Sequence, residues 1–426
     1  MWRREPMALD YIPMNNVLKK RSEITYPEED LSYIDRAMEV SINQGLTGAV
    51  LLLMLDGEII FKKAYGYKNI WNRYNKIPSP EPATVDTIYD LASLTKIYAT
   101  MQGCMKLFDD NQLDLDEKVS HYIPEFSGGK KNDVTVRMLL QHRSGLPANY
   151  HFYCPNQSGD LFSQDRETSM SLLPLVPLIN HPDKTTLYSD IGPYILGLII
   201  ERVTQTREDL FVENELYNKL SLERTGYLLK QKLNLPNNYF AATEPCGNTR
   251  DGSISFPNIR TDTIQGEVQD ETSFYSFDGI SGSAGLFSCV EDLAIISQMM
   301  LNGGQYGNFR WCSDKTISHF MDNKSADEKF SLLWRRTKPY EMMTGIIPKP
   351  HAVCHTGWLG TFTLIDKKHN SAMIYLSNKK NSRLLQHPNI FYGDCAITST
   401  YGIIADMFYR GLIKMGKVKS PKANVE

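Results

Sequence analysis

No stretch of this sequence approaches the roughly 20 consecutive apolar residues that a bilayer-spanning helix needs, so a membrane-spanning helix is not expected. Basic charge is not in excess either: 46 Lys and Arg against 49 Asp and Glu leave a formal net charge of -3. A nucleic-acid partner is therefore not expected. Cys-x-x-Cys is absent. The seven cysteines, at 104, 154, 246, 289, 312, 354 and 395, are odd in number and form no His/Cys cluster with metal-ligand spacing, so buried free thiols are expected and a metal site is not. Nothing like a secretory leader opens the chain, because Met1-Trp2-Arg3-Arg4-Glu5-Pro6 carries positive charge with no apolar core behind it. Taken with the free thiols, this reads as a reducing, cytoplasmic compartment.

What is present suffices for a substantial core: 426 residues, 42% of them hydrophobic, fit one large domain or two interleaved lobes. Residues 1–26 read as an irregular lead-in. Leu31, Ile34, Met38 and Ile42 give a helix after Pro27 its buried stripe, and Gly45 is its stop. The apolar runs 48–55 and 58–67 flank Asp56-Gly57, a strong hairpin signal. A second hairpin is expected where 361–366 and 371–376 flank the polar turn 367–370, and helices are expected over 191–203, 290–301 and 403–412. Strands near both ends with helices between them predict an α/β (α+β) fold: one antiparallel sheet built from both termini, flanked by helices, with a helical insertion. The expected catalytic domain is 27–412, with a sheet lobe at about 27–92 and 276–412, a helical lobe at about 93–275, and a solvated tail at 413–426.

The chemistry-bearing stretch is Asp90-Leu91-Ala92-Ser93-Leu94-Thr95-Lys96. Behind Ser93 the apolar residues Ile97, Met101, Met105 and Phe108 fall three or four apart, one face of a helix, so Lys96 projects from the same side as Ser93. A serine hydroxyl is a poor nucleophile until a neighbour takes its proton. A lysine does so once burial or nearby charge frees its amine. The alternative is a hydroxyl capping a helix beside a solvated lysine. Ser127 and Lys130, and Ser377 and Lys380, repeat the spacing without opening an amphipathic helix, and both pairs read as chance matches on the surface.

Acyl transfer also needs a proton donor for the leaving group and donors for the oxyanion. Tyr67-Lys68-Asn69, Tyr188-Ser189-Asp190 and Tyr306-Gly307-Asn308 compete for the first role; Tyr188 falls at the entry to a helix, with Asp190 at its N-cap. Two basic Thr-Gly triplets compete as well. Arg224-Thr225-Gly226 reads as a turn after a helix, whereas His355-Thr356-Gly357-Trp358 reads as an edge strand lining a cleft, its small residues admitting a substrate backbone.

The order Ser93-Leu94-Thr95-Lys96, Tyr188-Ser189-Asp190, His355-Thr356-Gly357 resembles the serine beta-lactamase and penicillin-binding protein superfamily, on its class C and D-alanyl-D-alanine carboxypeptidase side. His142-Arg143-Ser144-Gly145-Leu146-Pro147, Gly282-Ser283-Ala284-Gly285-Leu286-Phe287-Ser288 and the stretches 247–252, 256–261, 266–271 and 357–361 extend the likeness over roughly residues 27–412. The resemblance implies a beta-lactamase or transpeptidase-like fold and a serine hydrolase working through an acyl-enzyme, without metal or organic cofactor. Its implied role is a D-alanyl-D-alanine carboxypeptidase of cell-wall peptides. An esterase or weak beta-lactamase, and a penicillin- or muropeptide-binding protein without turnover, are the alternatives. Implied substrates are D-alanyl-D-alanine peptides, beta-lactams or esters, and the implied location is the periplasm or cell envelope, against the cytoplasmic reading above.

By position, the resemblance implies Ser93 as the acylated nucleophile, Lys96 as its base, Tyr188 as the proton shuttle and Asp190 as the group holding Lys96 and Tyr188 in register. The backbone N–H groups of Ser93 and Trp358 would form the oxyanion hole, with Thr356 and Gly357 on the substrate-binding strand and His355 where the superfamily's usual lysine lies. Two departures carry consequences. Aspartate in place of the usual asparagine at 190 favours protonated Lys96. Histidine at 355 replaces a permanent cation with a group largely neutral at pH 7, so a substrate carboxylate is gripped less firmly and efficient beta-lactam hydrolysis is not expected.

Overall fold

A computed structural model of the chain describes residues 17–419 other than 21, 323, 324, 326, 327, 339, 340 and 387. Of the predicted lead-in, 1–16 and 21 lie outside the described residues, as do 420–426 of the predicted tail. Helix α1 (Glu28–Asn43) buries Ile34 and Met38, with Leu31 and Ile42 packed at the margin of the same cluster. The run that follows becomes β1 (Gly48–Leu55), every residue of it buried. Its side chains divide by parity: Val50, Leu52 and Met54 enter one core, and Ala49, Leu51, Leu53 and Leu55 the other. That is the behaviour of a strand covered on both faces. Asp56 and Gly57 take φ values of 50° and 81°, the left-handed pair that a tight hairpin turn demands, and return the chain as β2 (Glu58–Gly66).

Next come α2 (Met101–Asp109), α3 (Ile191–Thr204) and α4 (Val290–Leu301). The sheet is completed by β3 (Arg335–Arg336), β4 (Ala352–Thr356), β5 (Phe362–Asp366) and β6 (Ser371–Ser377), and α5 (Gly402–Lys414) follows. The strand order is β3-β4-β5-β6-β1-β2, antiparallel throughout. Strand β1 pairs with β6 from Ala49 opposite Ser377 to Leu55 opposite Ser371, so the sheet is built from both ends of the chain as the sequence predicts. Helices α1 and α5 cover one face; α4 and the helical segment containing α2 and α3 cover the other.

Four expectations need correction. Strand β4 is not the edge, because β3 pairs with its Cys354 and Val353; its His355–Thr356 end projects past that stub. Ser377 and Lys380 are not a surface pair but are 1% and 3% exposed, the serine bonded to Gly360 and the lysine to Asp394. Helix α5 runs two residues past 412 and Val418 packs back into the core, so the start of the predicted solvated tail is held. Cys395 is exposed, whereas the other six cysteines are buried. Among the described residues no helix is long and apolar enough to cross a membrane.

Candidate active site

Ser93 sits in a single tight turn, Ala92–Leu94, followed by one wide turn, Lys96–Thr100, before α2 begins. Wide turns of this kind are rare and concentrate at functional sites. Ala92 is held at φ 48°, unusual for a residue with a side chain. The buried Asp90 fixes it: one carboxylate oxygen accepts the Ala92 N–H and the other the Gln269 N–H, both at 2.8 Å. Ser93 is thereby left partly exposed at the wall of a cleft while its neighbours Ala92 and Leu94 are buried.

Lys96 is fully buried and uses all three of its N–H bonds, toward Ser93 Oγ at 2.8 Å, the Ser283 carbonyl at 3.1 Å and Asp190 Oδ1 at 2.7 Å. Two of the three, the Ser283 carbonyl and Asp190, can only accept, and Asp190 supplies the counter-charge of an ammonium. Burial works to lower the Lys96 pKa, but Asp190 and Tyr188 outweigh it and hold it above its ordinary value. Burial likewise works to raise Asp190, and Lys96 holds it down. The expected effect of an aspartate at this position is thus present. The expected cap is not: Asp190 occupies the N-cap position of α3 without a side-chain cap bond. Ser189 Oγ accepts from the N–H groups of Ile191 and Gly192 instead, and Asp190 takes the Ser283 hydroxyl at 2.6 Å.

Tyr188 leans over this pair, its ring centroid 5.2 Å from the Lys96 nitrogen and its phenol within the electrostatic reach of Ser93 and Lys96. Burial, with Asp190, keeps the phenol above its usual pKa against the pull of Lys96. His142 packs against the Tyr188 ring, centroids 4.6 Å apart, accepting the Ser189 N–H at Nδ1. Burial, then Lys96, push His142 down to about 3, so it is a neutral spacer.

His355 is 3% exposed and donates Nδ1–H to the Thr356 carbonyl at 2.9 Å. Burial, then Lys96 and His142, hold its pKa well below the ordinary value. It adds no positive charge to the site. Gly357, just past β4, is where the strand end meets the turn that carries Ser93: a Cβ there would stand 2.0 Å from Thr361 Oγ1 and 2.5 Å from the Leu91 carbonyl. This close approach carries Trp358 into the cleft opposite Ser93.

The cleft has a volume of about 400 Å³ and is lined by Ser93, Tyr188, Asp190 and Trp358, brought together as the sequence predicts, and by Tyr150, Arg250 and Asp270 among others. Arg250 is clamped by Glu244 at 2.5 and 2.6 Å and by Glu271 at 2.8 Å, and lies 5.0 Å from the Trp358 ring. Arg260 staples the same wall through Asn248 Oδ1 and the carbonyls of Val268 and Gln269. The stretches 247–252, 256–261 and 266–271 therefore form one wall. Ser283, His142, Arg250 and Asp90 stood in stretches quoted from the sequence, but no local pattern gave them roles. Two of the competing triplets lie elsewhere: Tyr306 in a short hairpin and Gly226 in a strand beside Phe287. Among the described residues no group of three or more His, Cys, Asp or Glu side chains could hold a metal ion.

The model of the Beta-lactamase family matches residues 31–392. The chain is 41% identical over 398 residues to a Bacillus subtilis protein named N-acetylmuramyl-L-alanine amidase, covering 91% of this chain and 90% of that one. It is 38% identical over 401 residues to a Salmonella typhimurium protein named as a candidate D-alanyl-D-alanine carboxypeptidase, covering 92% and 93%. A solved penicillin-binding protein homologue from Caulobacter crescentus superposes with a TM-score of 0.65 at 17% identity, covering 91% of this chain and 99% of its own.

Proposed function

Because the chain belongs to the beta-lactamase family of serine hydrolases, we propose that it opens an amide bond of cell-wall peptides through an acyl-enzyme on Ser93. The observation that carries this is the single nitrogen of Lys96 joining Ser93, Ser283 and Asp190. In the resting site that nitrogen is an ammonium, so it must yield a proton before it can accept one. Asp190 Oδ1, at 2.7 Å, is the acceptor in reach. The freed amine takes the Ser93 proton as Oγ attacks the carbonyl carbon, and the amides of Ser93 and Trp358 receive the oxyanion. Tyr188 gives its proton to the leaving nitrogen and is reprotonated from Lys96. Water then repeats the attack on the ester and restores Ser93.

The choice of bond rests on charge. A carboxypeptidase must hold the carboxylate of the amino acid it releases, and among the described residues each cation at the cleft is already paired. Lys96 faces Asp190 and Arg250 faces Glu244 and Glu271, while Lys380, behind Trp358, faces Asp394. His355 is neutral. This favours a bond whose leaving side bears no adjacent free carboxylate, such as the muramyl-to-alanine amide in the Bacillus relative's name. The D-alanyl-D-alanine bond is the second reading, favoured by the name of the Salmonella relative at comparable coverage.

The test is intact-protein mass spectrometry after mixing with a penicillin, with a muramyl peptide, an acyl-D-alanyl-D-alanine peptide and an aryl ester followed for product. Ser93→Ala is expected to lose both adduct and turnover, and Lys96→Ala most of the turnover. Release of D-alanine in preference to muramyl cleavage would move the assignment to the carboxypeptidase, and ester turnover alone to an esterase. A stable adduct without turnover on any substrate would make it a binding protein.

A further inference from the structure

Behind the site, on the side away from the cleft, Thr100 Oγ1 lies 2.6 Å from Glu208 Oε1 and 2.7 Å from the Gly282 carbonyl. A hydroxyl has one proton, and two contacts this short each need their own. The carbonyl can only accept. The Thr100 proton therefore points to Gly282, and the proton in the other contact belongs to the carboxyl group. We infer that Glu208 is a neutral carboxylic acid that donates to Thr100 and serves as a positioning residue for Lys96. This rests on the reading of Ser93 and Lys96 as the reacting pair.

The path to the site is short and covalently simple. Gly282 precedes Ser283, whose carbonyl and hydroxyl hold Lys96 and Asp190. Thr100 lies one turn after Lys96 on the same helical segment. Glu208 thus fixes, through one hydroxyl, both the helix that carries the base and the loop that receives it. The packing leaves this chain no slack: a Cβ at Gly282 would stand 2.1 Å from the Pro193 carbonyl, and one at Gly197 2.5 Å from Glu208 Oε2.

The surroundings keep the proton on. Glu208 is 2% exposed. Facing it are Glu201 from α3, Asp209 from its own helix, Cys104 from α2, Tyr217 and Tyr227, and Arg166. Arg166 is the one cation in that set, and it is bonded to Glu201 Oε1 at 2.5 Å. Burial, with Glu201 and Asp209 adding to it against Thr100 and Arg166, pushes the Glu208 pKa up to about 8. When the proton leaves, Thr100 must donate to the carboxylate, and the Gly282 carbonyl loses its partner.

The experiment compares pH profiles of kcat/KM for wild type, Glu208→Gln, Glu208→Ala and Thr100→Val on whichever substrate is turned over. The glutamine amide still donates to Thr100 but cannot ionise. Glu208→Gln is expected to keep near-wild-type activity at neutral pH and to carry its alkaline fall at least one pH unit higher. Glu208→Ala and Thr100→Val are each expected to lose about ten- to a hundredfold in kcat/KM, and the double variant no more than either. Should Glu208→Gln not fold, the infrared band of a protonated carboxylic acid in the wild type, shifted by Thr100→Val, reads the same proton. An alkaline limb in Glu208→Gln that overlies the wild type, or no such band responding to Thr100→Val, would overturn the inference. Turnover surviving in Ser93→Ala would instead overturn the reaction proposed above, so the two failures are told apart.

Discussion

At the scale of single residues, Asp190 decides how this site differs from one built with asparagine. Its charge stabilises the ammonium of Lys96, which in the proposed reaction sets the base back at neutral pH, yet it also offers the acceptor through which that base would be regenerated. Removing the charge and keeping the shape separates the two effects. In Asp190→Asn the Lys96 pKa falls toward the value that burial alone would set, so the free amine is present at lower pH. The pH midpoint of acylation, followed by adduct mass against time, is expected to move down. Asp190→Ala leaves a fully buried ammonium without its counter-charge, and its unfolding free energy by urea titration is expected to drop by about 3–5 kcal/mol. If Asp190→Asn left the midpoint unmoved, Asp190 would not control the protonation of Lys96.

At the scale of elements, the site is a junction where the end of a strand presses on the turn that carries Ser93. Thr361 Oγ1 donates to the Leu91 carbonyl at 2.8 Å, and the Gly357 N–H bonds the Thr361 carbonyl at 2.7 Å. Gly357→Ala would push Trp358 away from Ser93, and kcat/KM is expected to fall by about a hundredfold, with the melting temperature falling too because the new Cβ meets the Leu91 carbonyl. The hairpins and the long helices were legible because their signals are local: the apolar runs on either side of Asp56-Gly57, and apolar spacing in 191–203 and 290–301. Ser93 and Lys96 were picked out by their spacing ahead of an apolar helix face, and Tyr188 and His355 by the order of triplets in the resemblance; the fold brings the four side by side. Glu208, Thr100 and Ser283 were not legible, since each is an ordinary residue until folding brings 100, 208 and 282 together. Ser377 and Lys380 misled because a polar pair reads as surface, whereas here an ion pair to Asp394 and the Trp358 ring, 4.4 Å from the lysine nitrogen, make burial tolerable.

At the scale of the whole molecule, the thiols report on integrity. With six cysteines buried and Cys395 exposed, a thiol reagent is expected to label one site in the native protein and all seven sites after denaturation, counted by intact mass. Cys395→Ala should abolish native labelling, and rapid labelling elsewhere would show that the core opens on that timescale. A different consequence follows from β1 lying between β2 and β6, whose paired residues stand more than three hundred positions apart in the chain. On the ribosome, at about 5–20 residues per second, the β1–β2 hairpin emerges tens of seconds before its other neighbour exists. For that interval one edge of a fully apolar strand is open to any passing partner, so the newly made chain, more than the finished fold, is the form that a chaperone must guard.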